Sequence, residues 1–179
     1  MKKIRFGVFE TNSSSSHSLS FNGECMIPEE DRKSVFPLEY DLESSCDVIK
    51  ILLIECEFGR DFDIYTDPWN KLKYLVMMVV ELECRKFTTL DEIYETEGFK
   101  LIQDNVPHKI VVVDDTFGPV TYTFKNGEQR TYLEHAGYID HQSCTDNYSK
   151  LKDFFHHWGI DVSKFLYNSD INLIIDSDG

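Results

Sequence analysis

No apolar run in this chain is long enough to cross a bilayer. The longest, Tyr74 to Val80, covers seven residues, against the roughly 20 that a spanning helix needs. The opening, Met1 to Phe9, lacks the apolar core of a secretory leader. Cysteine is sparse and poorly spaced for cross-linking. Cys25, Cys46, Cys56, Cys84 and Cys144 are odd in number and form no C-x-x-C pair, which argues for reduced thiols in a cytoplasmic protein. Positive charge is short too: 18 Lys and Arg stand against 32 Asp and Glu, a net charge of -14. Phosphate is contacted by Lys and Arg, so non-specific DNA binding is not expected. Nucleophile elbows, H-E-x-x-H and glycine-rich phosphate loops are missing as well. No cofactor and no metal site are expected.

What is present is enough for a core. Hydrophobic residues make up 41% of the 179 and aromatics 13%, which fits a single domain over residues 1–179. The acid excess keeps such a chain soluble. It also suits a basic partner, including the groove of a nucleic-acid enzyme, through complementary potential.

Lys3 to Phe9 reads as a strand, and His17 to Phe21 as another with His17, Leu19 and Phe21 on one face. Thr11 to Ser16 reads as the turn between them, because Asn and Ser side chains bond their own backbone. Asn22 to Ser45 is irregular and acidic. Cys46 to Phe58, ended by Gly59, is expected as a largely buried helix. Asp67-Pro68 starts a second helix running to about Lys86. Thr89 to Glu92 is a capping box for a short helix closed by Gly98. Lys109 to Val113 reads as a strand buried on both faces. Val120 to Lys125 and Gln129 to Glu134 form a hairpin about Asn126-Gly127. Asn147 to Trp158 and Asp161 to Tyr167 are expected helical, and Ile171 to Ile175 a last strand. The fold class is therefore α+β: a single mixed, mainly antiparallel sheet packed on two long helices.

Two polar blocks are candidates for chemistry or binding. The first supplies Glu10, Asn12, Ser13, Ser14, Ser15, Ser16 and His17. The second supplies His135, Asp140, His141 and Gln142. Each block contains a His followed by a Ser one or two places on. If their strands are neighbours, His17, Asn12, Asp140 and His141 meet in one cleft. His17, Asp140 and His141 are then the catalytic candidates, although their spacing fits no triad order. Binding is the stronger expectation. His135 and His141 lie six apart and do not share a helical face. Asp114-Asp115 reads as a turn, and His156-His157 as the basic end of a helix.

The run Phe9-Glu10-Thr11-Asn12-Ser13-Ser14-Ser15-Ser16-His17-Ser18 resembles the opening of a group of small proteins from phages and mobile elements of Gram-positive bacteria. Gly137-Tyr138-Ile139-Asp140-His141-Gln142-Ser143 is similar to a second block of that group. Part of this territory belongs to anti-CRISPR proteins that inhibit Cas9. The resemblance implies a counter-defence protein in the cytoplasm of an infected host, with Cas9, alone or with its guide RNA, as partner. It carries over no catalytic residues. An acidic protein suits the positively charged channel that holds the guide–target duplex. Glu29-Glu30-Asp31, Glu39/Asp41/Glu43 and Asp91-Glu92/Glu95/Glu97 are the clusters that would imitate phosphates, with Tyr40 and Tyr94 as aromatic anchors. The alternative is a small phage hydrolase or nucleic-acid-processing enzyme that uses His17 with the Asp140-His141 loop.

Overall fold

The computed structural model describes residues 15–59, 62–139 and 148–177. In chain order these form β1 (Ser15–Phe21), β2 (Glu39–Asp41), β3 (Cys46–Leu52), β4 (Glu57–Phe58), β5 (Asp63–Tyr65), α1 (Pro68–Glu83) and α2 (Glu97–Gln103). There follow β6 (Lys109–Val113), β7 (Gly118–Thr123), β8 (Gln129–Glu134), β9 (Tyr138–Ile139), α3 (Leu151–Trp158), α4 (Val162–Tyr167) and β10 (Ile171–Ser177). Short 3-10 turns cover Glu29–Ser34, Leu53–Glu55 and Leu90–Glu95.

Packing is laid around α1. The Asp67 carboxylate accepts from Asn70 N at 2.8 Å, and Pro68 takes the first helical position, where no donor is needed. Tyr74 to Val80 is buried on every side. At the far end the Glu83 carboxylate accepts from Gly98 N and Leu151 N, both at 3.0 Å. One anion thus sits at the amino ends of α2 and α3, where orphan amides and the helix dipoles favour it.

The secondary structure is α+β, as expected, but the layout differs from the expected single sheet on two long helices. Among the described residues the strands form four small sheets, ordered β1-β10-β5, β2-β3-β6, β4-β9 and β7-β8. The expected helix from Cys46 to Phe58 is instead β3, a 3-10 turn and β4. Val48, Ile49 and Ile51 are buried on both faces of β3, which pairs parallel with β6. A strand with buried residues on both faces carries a nearly continuous apolar run, here broken only by Lys50, as a buried helix does, so periodicity does not separate them. That leaves α1 as the one long helix described.

Other boundaries move for local reasons. The expected strand Lys3 to Phe9 lies outside the described residues, as does the capping Asp146. Ser15 and Ser16 belong to β1 rather than to a turn, in register with Ser177 and Asp176. Gly98 does not close a helix but lies inside α2, where a Cβ would collide with the Glu83 carboxylate. The helix expected from Asn147 begins at Leu151, with the Asp153 carboxylate accepting from Ser149 N, the Ser149 hydroxyl and Lys150 N. The hairpin about Asn126-Gly127 forms, but the two-residue type I′ turn expected there does not: the loop is Lys125 to Gly127, Phe124 N donates to Glu128 O at 2.8 Å and Gly127 N to Phe124 O at 2.9 Å, and the register shifts by one residue.

Candidate functional site

Three polar side chains, Lys71, Tyr74 and Glu81, interrupt the buried surface of α1, and the last two each lie against a histidine. The Tyr74 hydroxyl lies 3.0 Å from His17 Nδ1, with the rings tilted at 5.7 Å between centroids. Two turns further on, Glu81 Oε1 lies 3.7 Å from His135 Nε2. Seven residues of helix separate Tyr74 from Glu81, about 10.5 Å along the axis. His17 and His135 therefore serve two neighbouring places on one helix rather than one site.

Tyr74 also lies in an aromatic cluster with Phe58 and Phe154. Its ring meets Phe58 edge-on at 5.2 Å and Phe154 at 6.4 Å. Phe58 pairs with Ile139 across β4 and β9, and Tyr148 stacks edge-on against Phe154 at 5.8 Å. Ile139, within the second block, and Tyr148 are the described residues that flank residues 140–147. Gly137 makes the β9 approach feasible. Its φ is 75°, and a Cβ there would strike the Leu53 carbonyl. Asp140, His141 and Gln142 lie outside the described residues, as do Glu10, Asn12, Ser13 and Ser14. Ser15 and Ser16 lead β1 directly into His17.

The His135 side opens onto a cavity of about 210 Å³ between α1 and β8, lined by Val80, Glu81, Arg85, Thr131, Leu133 and His135 among others. The side chains of Glu81 and His135 are only 8% and 13% exposed. His135 Nδ1 lies 3.2 Å from Ala136 O, and Arg85 Nε donates to Glu81 O at 3.0 Å. Asp114 closes the base of the hairpin, accepting from Thr116 N and Ala136 N at 2.8 Å each, which is the turn expected for it. Among the described residues no three His, Cys, Asp or Glu converge as metal ligands. No helix among them is long and apolar enough to cross a membrane.

The three acidic clusters differ in how far their charge is already used. In the third, Glu92 accepts from Thr88 and Thr89, and those bonds hold its carboxyl below the usual range. Glu97 pairs with Lys150 and Lys152 at 2.9 Å each, and Glu95 with Lys100. Tyr94 is half-buried: it packs edge-on against Phe99 at 5.0 Å and accepts from Val112 N at 3.1 Å. Its role is structural, and it does not serve as an exposed anchor. The first two clusters face solvent. Glu29, Glu30, Asp31, Glu39, Glu43 and Asp47 are exposed. Hydrogen bonds from the Ser44 hydroxyl and backbone hold the Asp41 carboxyl below its ordinary range. Of the bases nearby, Arg32 turns inward over the Tyr167 ring at 4.4 Å and Lys50 pairs with Glu39 at 3.3 Å.

Beside these acids Tyr40 is 63% exposed, Leu42 84% and Leu38 38%. The last two are residues that sequence reasoning passed over. The alternation Leu38-Glu39-Tyr40-Asp41-Leu42-Glu43 is a period-two strand signal hidden inside an acidic stretch with two prolines. Tyr74 and Glu81 were likewise masked by the apolar run around them. The chain matches no family model, no curated protein and no solved structure.

Proposed function

We propose that this protein is a counter-defence inhibitor that docks its acidic face on the basic nucleic-acid channel of a Cas9-type nuclease in the host cytoplasm. The observation that carries the reading is the exposed segment from Glu29 to Asp47. It holds seven carboxylates against two bases, with a row of exposed apolar side chains among them. Complementary potential speeds the encounter and selects the partner, while apolar contact holds the complex. The test is cleavage of target DNA by Cas9 loaded with guide RNA, with the protein added at low and high ionic strength. Inhibition is expected, and it weakens as salt screens the attraction. Failure to recover Cas9 or its guide RNA with the protein from a lysate that contains both refutes the reading.

A second reading is a small phage hydrolase or nucleic-acid-processing enzyme that uses His17 with Asp140 and His141. What favours it is the fixed His17 imidazole beside Tyr74, together with the arrival of Ile139 and Tyr148 at the same aromatic cluster. Replacing both His17 and His141 by Asn then abolishes turnover. Unchanged activity and partner binding in that double variant removes this reading. Loss of turnover on adding a chelator marks a metal-dependent version of it.

A further inference from the structure

One face of the β2-β3-β6 sheet is apolar well beyond the part that the fold covers. Pairing puts Ile49 opposite Ile110 and Ile51 opposite Val112, and all four are buried. Tyr40 lies opposite Asp47, and side-chain alternation puts both on the same face as Ile49 and Ile51. Leu38, one residue before β2, continues that alternation, and Leu42 is the first residue of the turn that joins β2 to β3. The inner face of the sheet thus runs outward from core into solvent and ends at Leu38 and Tyr40, with Leu42 exposed beside them in the turn. Single exposed apolar residues are common on soluble proteins, whereas a contiguous row continuing a buried face marks a contact surface.

The charges around this row select the occupant. Asp47 is exposed directly opposite Tyr40, Glu43 is exposed beyond Leu42, and Asp41 is held ionised by Ser44. A second copy of the chain brings the same carboxylates to the contact, and nucleic acid brings phosphates. Both are repelled. A basic protein surface with an apolar recess is attracted and covers the row.

We infer that Leu38, Tyr40 and Leu42 form the apolar anchor of the docking surface and seat in an apolar recess of a basic protein partner, with Glu43 and Asp47 as the flanking charges. This rests on the reading of the protein as an inhibitor of a Cas9-type nuclease, and it names where the contact is made.

The experiment measures the dissociation constant for Cas9 loaded with guide RNA at two ionic strengths. It compares the wild type, the double variant Tyr40→Ala with Leu42→Ala, and the charge variant Glu43→Gln with Asp47→Asn. Leu42→Ala alone serves as a fourth protein, since its side chain is 84% exposed and folding does not depend on it. The apolar double variant is expected to bind on the order of 100-fold more weakly with its salt dependence intact. The charge variant is expected to lose several-fold in affinity and to show a flatter salt dependence. A wild type that does not bind refutes the inhibitor reading and the anchor with it. A wild type that binds while both apolar variants bind equally well overturns the anchor alone. A wild-type dimer that the double variant dissolves overturns the anchor in favour of a second copy.

Discussion

The β2-β3-β6 sheet has two edges, and they are finished in opposite ways. At the β6 edge, Ile110 N donates to Gln103 Oε1 at 2.9 Å and Val112 N to the Tyr94 hydroxyl at 3.1 Å. The outward amides are satisfied by side chains from the neighbouring helical segment, so a further strand has nothing to pair with there. At the β2 edge the strand is three residues long, its apolar side chains stand in water and carboxylates surround them. Exposed edges invite association, and proteins usually shorten them, charge them or cover them. Here one edge is covered, and the other is short and charged but keeps its apolar row. The contrast separates residues that hold the fold from residues available to a partner.

Substitutions can break this contrast, and the largest effect belongs on the closed side. Replacing Glu83 by Ala leaves Gly98 N and Leu151 N without their acceptor and loosens α2, which carries Gln103. The expected cost is about 3 kcal/mol, from two charge-assisted bonds, read as a lower midpoint in urea unfolding. Gln103→Ala orphans Ile110 N and frees His108 O, for about 2 kcal/mol by the same measurement.

Lys71 touches neither edge and calibrates both. Its ammonium is fully buried, donates to Asn168 O at 2.9 Å and is pushed down to about 8 by burial. Below pH 8 both folded and unfolded chains carry that proton, so its penalty is constant. Above pH 8 the unfolded chain binds more protons than the folded one, and stability rises with pH. The rise is limited to about pH 9, because Cys56 and Cys84, pushed up to about 12 by burial, then act in the opposite sense. By thermal melting at pH 8 and 9, the wild type should gain about 1 kcal/mol relative to Lys71→Met, the cysteine contribution being common to both. The smallest stability effect belongs to the open edge. Tyr40→Ala with Leu42→Ala should change the unfolding free energy by less than about 0.5 kcal/mol, as expected of exposed positions.

What could be read from the chain divides along the same line as local against distant contact. Asp67-Pro68, the Thr89 capping box and Asn126-Gly127 are signals written within a few residues, and each lies where expected. The β3 strand was misread because Val48-Ile49-Lys50-Ile51-Leu52-Leu53-Ile54 has no period, and only its partner β6 distinguishes strand from helix. Gly98 looked like a helix end, but the reason for a glycine there is a carboxylate 15 positions away in sequence. The same holds at the candidate site. His17 was visible as a polar residue at the end of a serine run, while the hydroxyl that fixes it stands 57 positions later. Tyr94 and Tyr40 looked alike in sequence, each an aromatic among acids. Only the fold makes one an edge cap and the other a surface side chain.

Amide hydrogen exchange on the protein mixed with Cas9 and guide RNA tests the central claim most directly. The account predicts slower exchange at Glu39 to Asp41 and around Cys46 and Asp47 on complex formation, with Ile110 and Val112 unchanged. Protection confined to the β7-β8 hairpin or to β6, or no change anywhere, would contradict it.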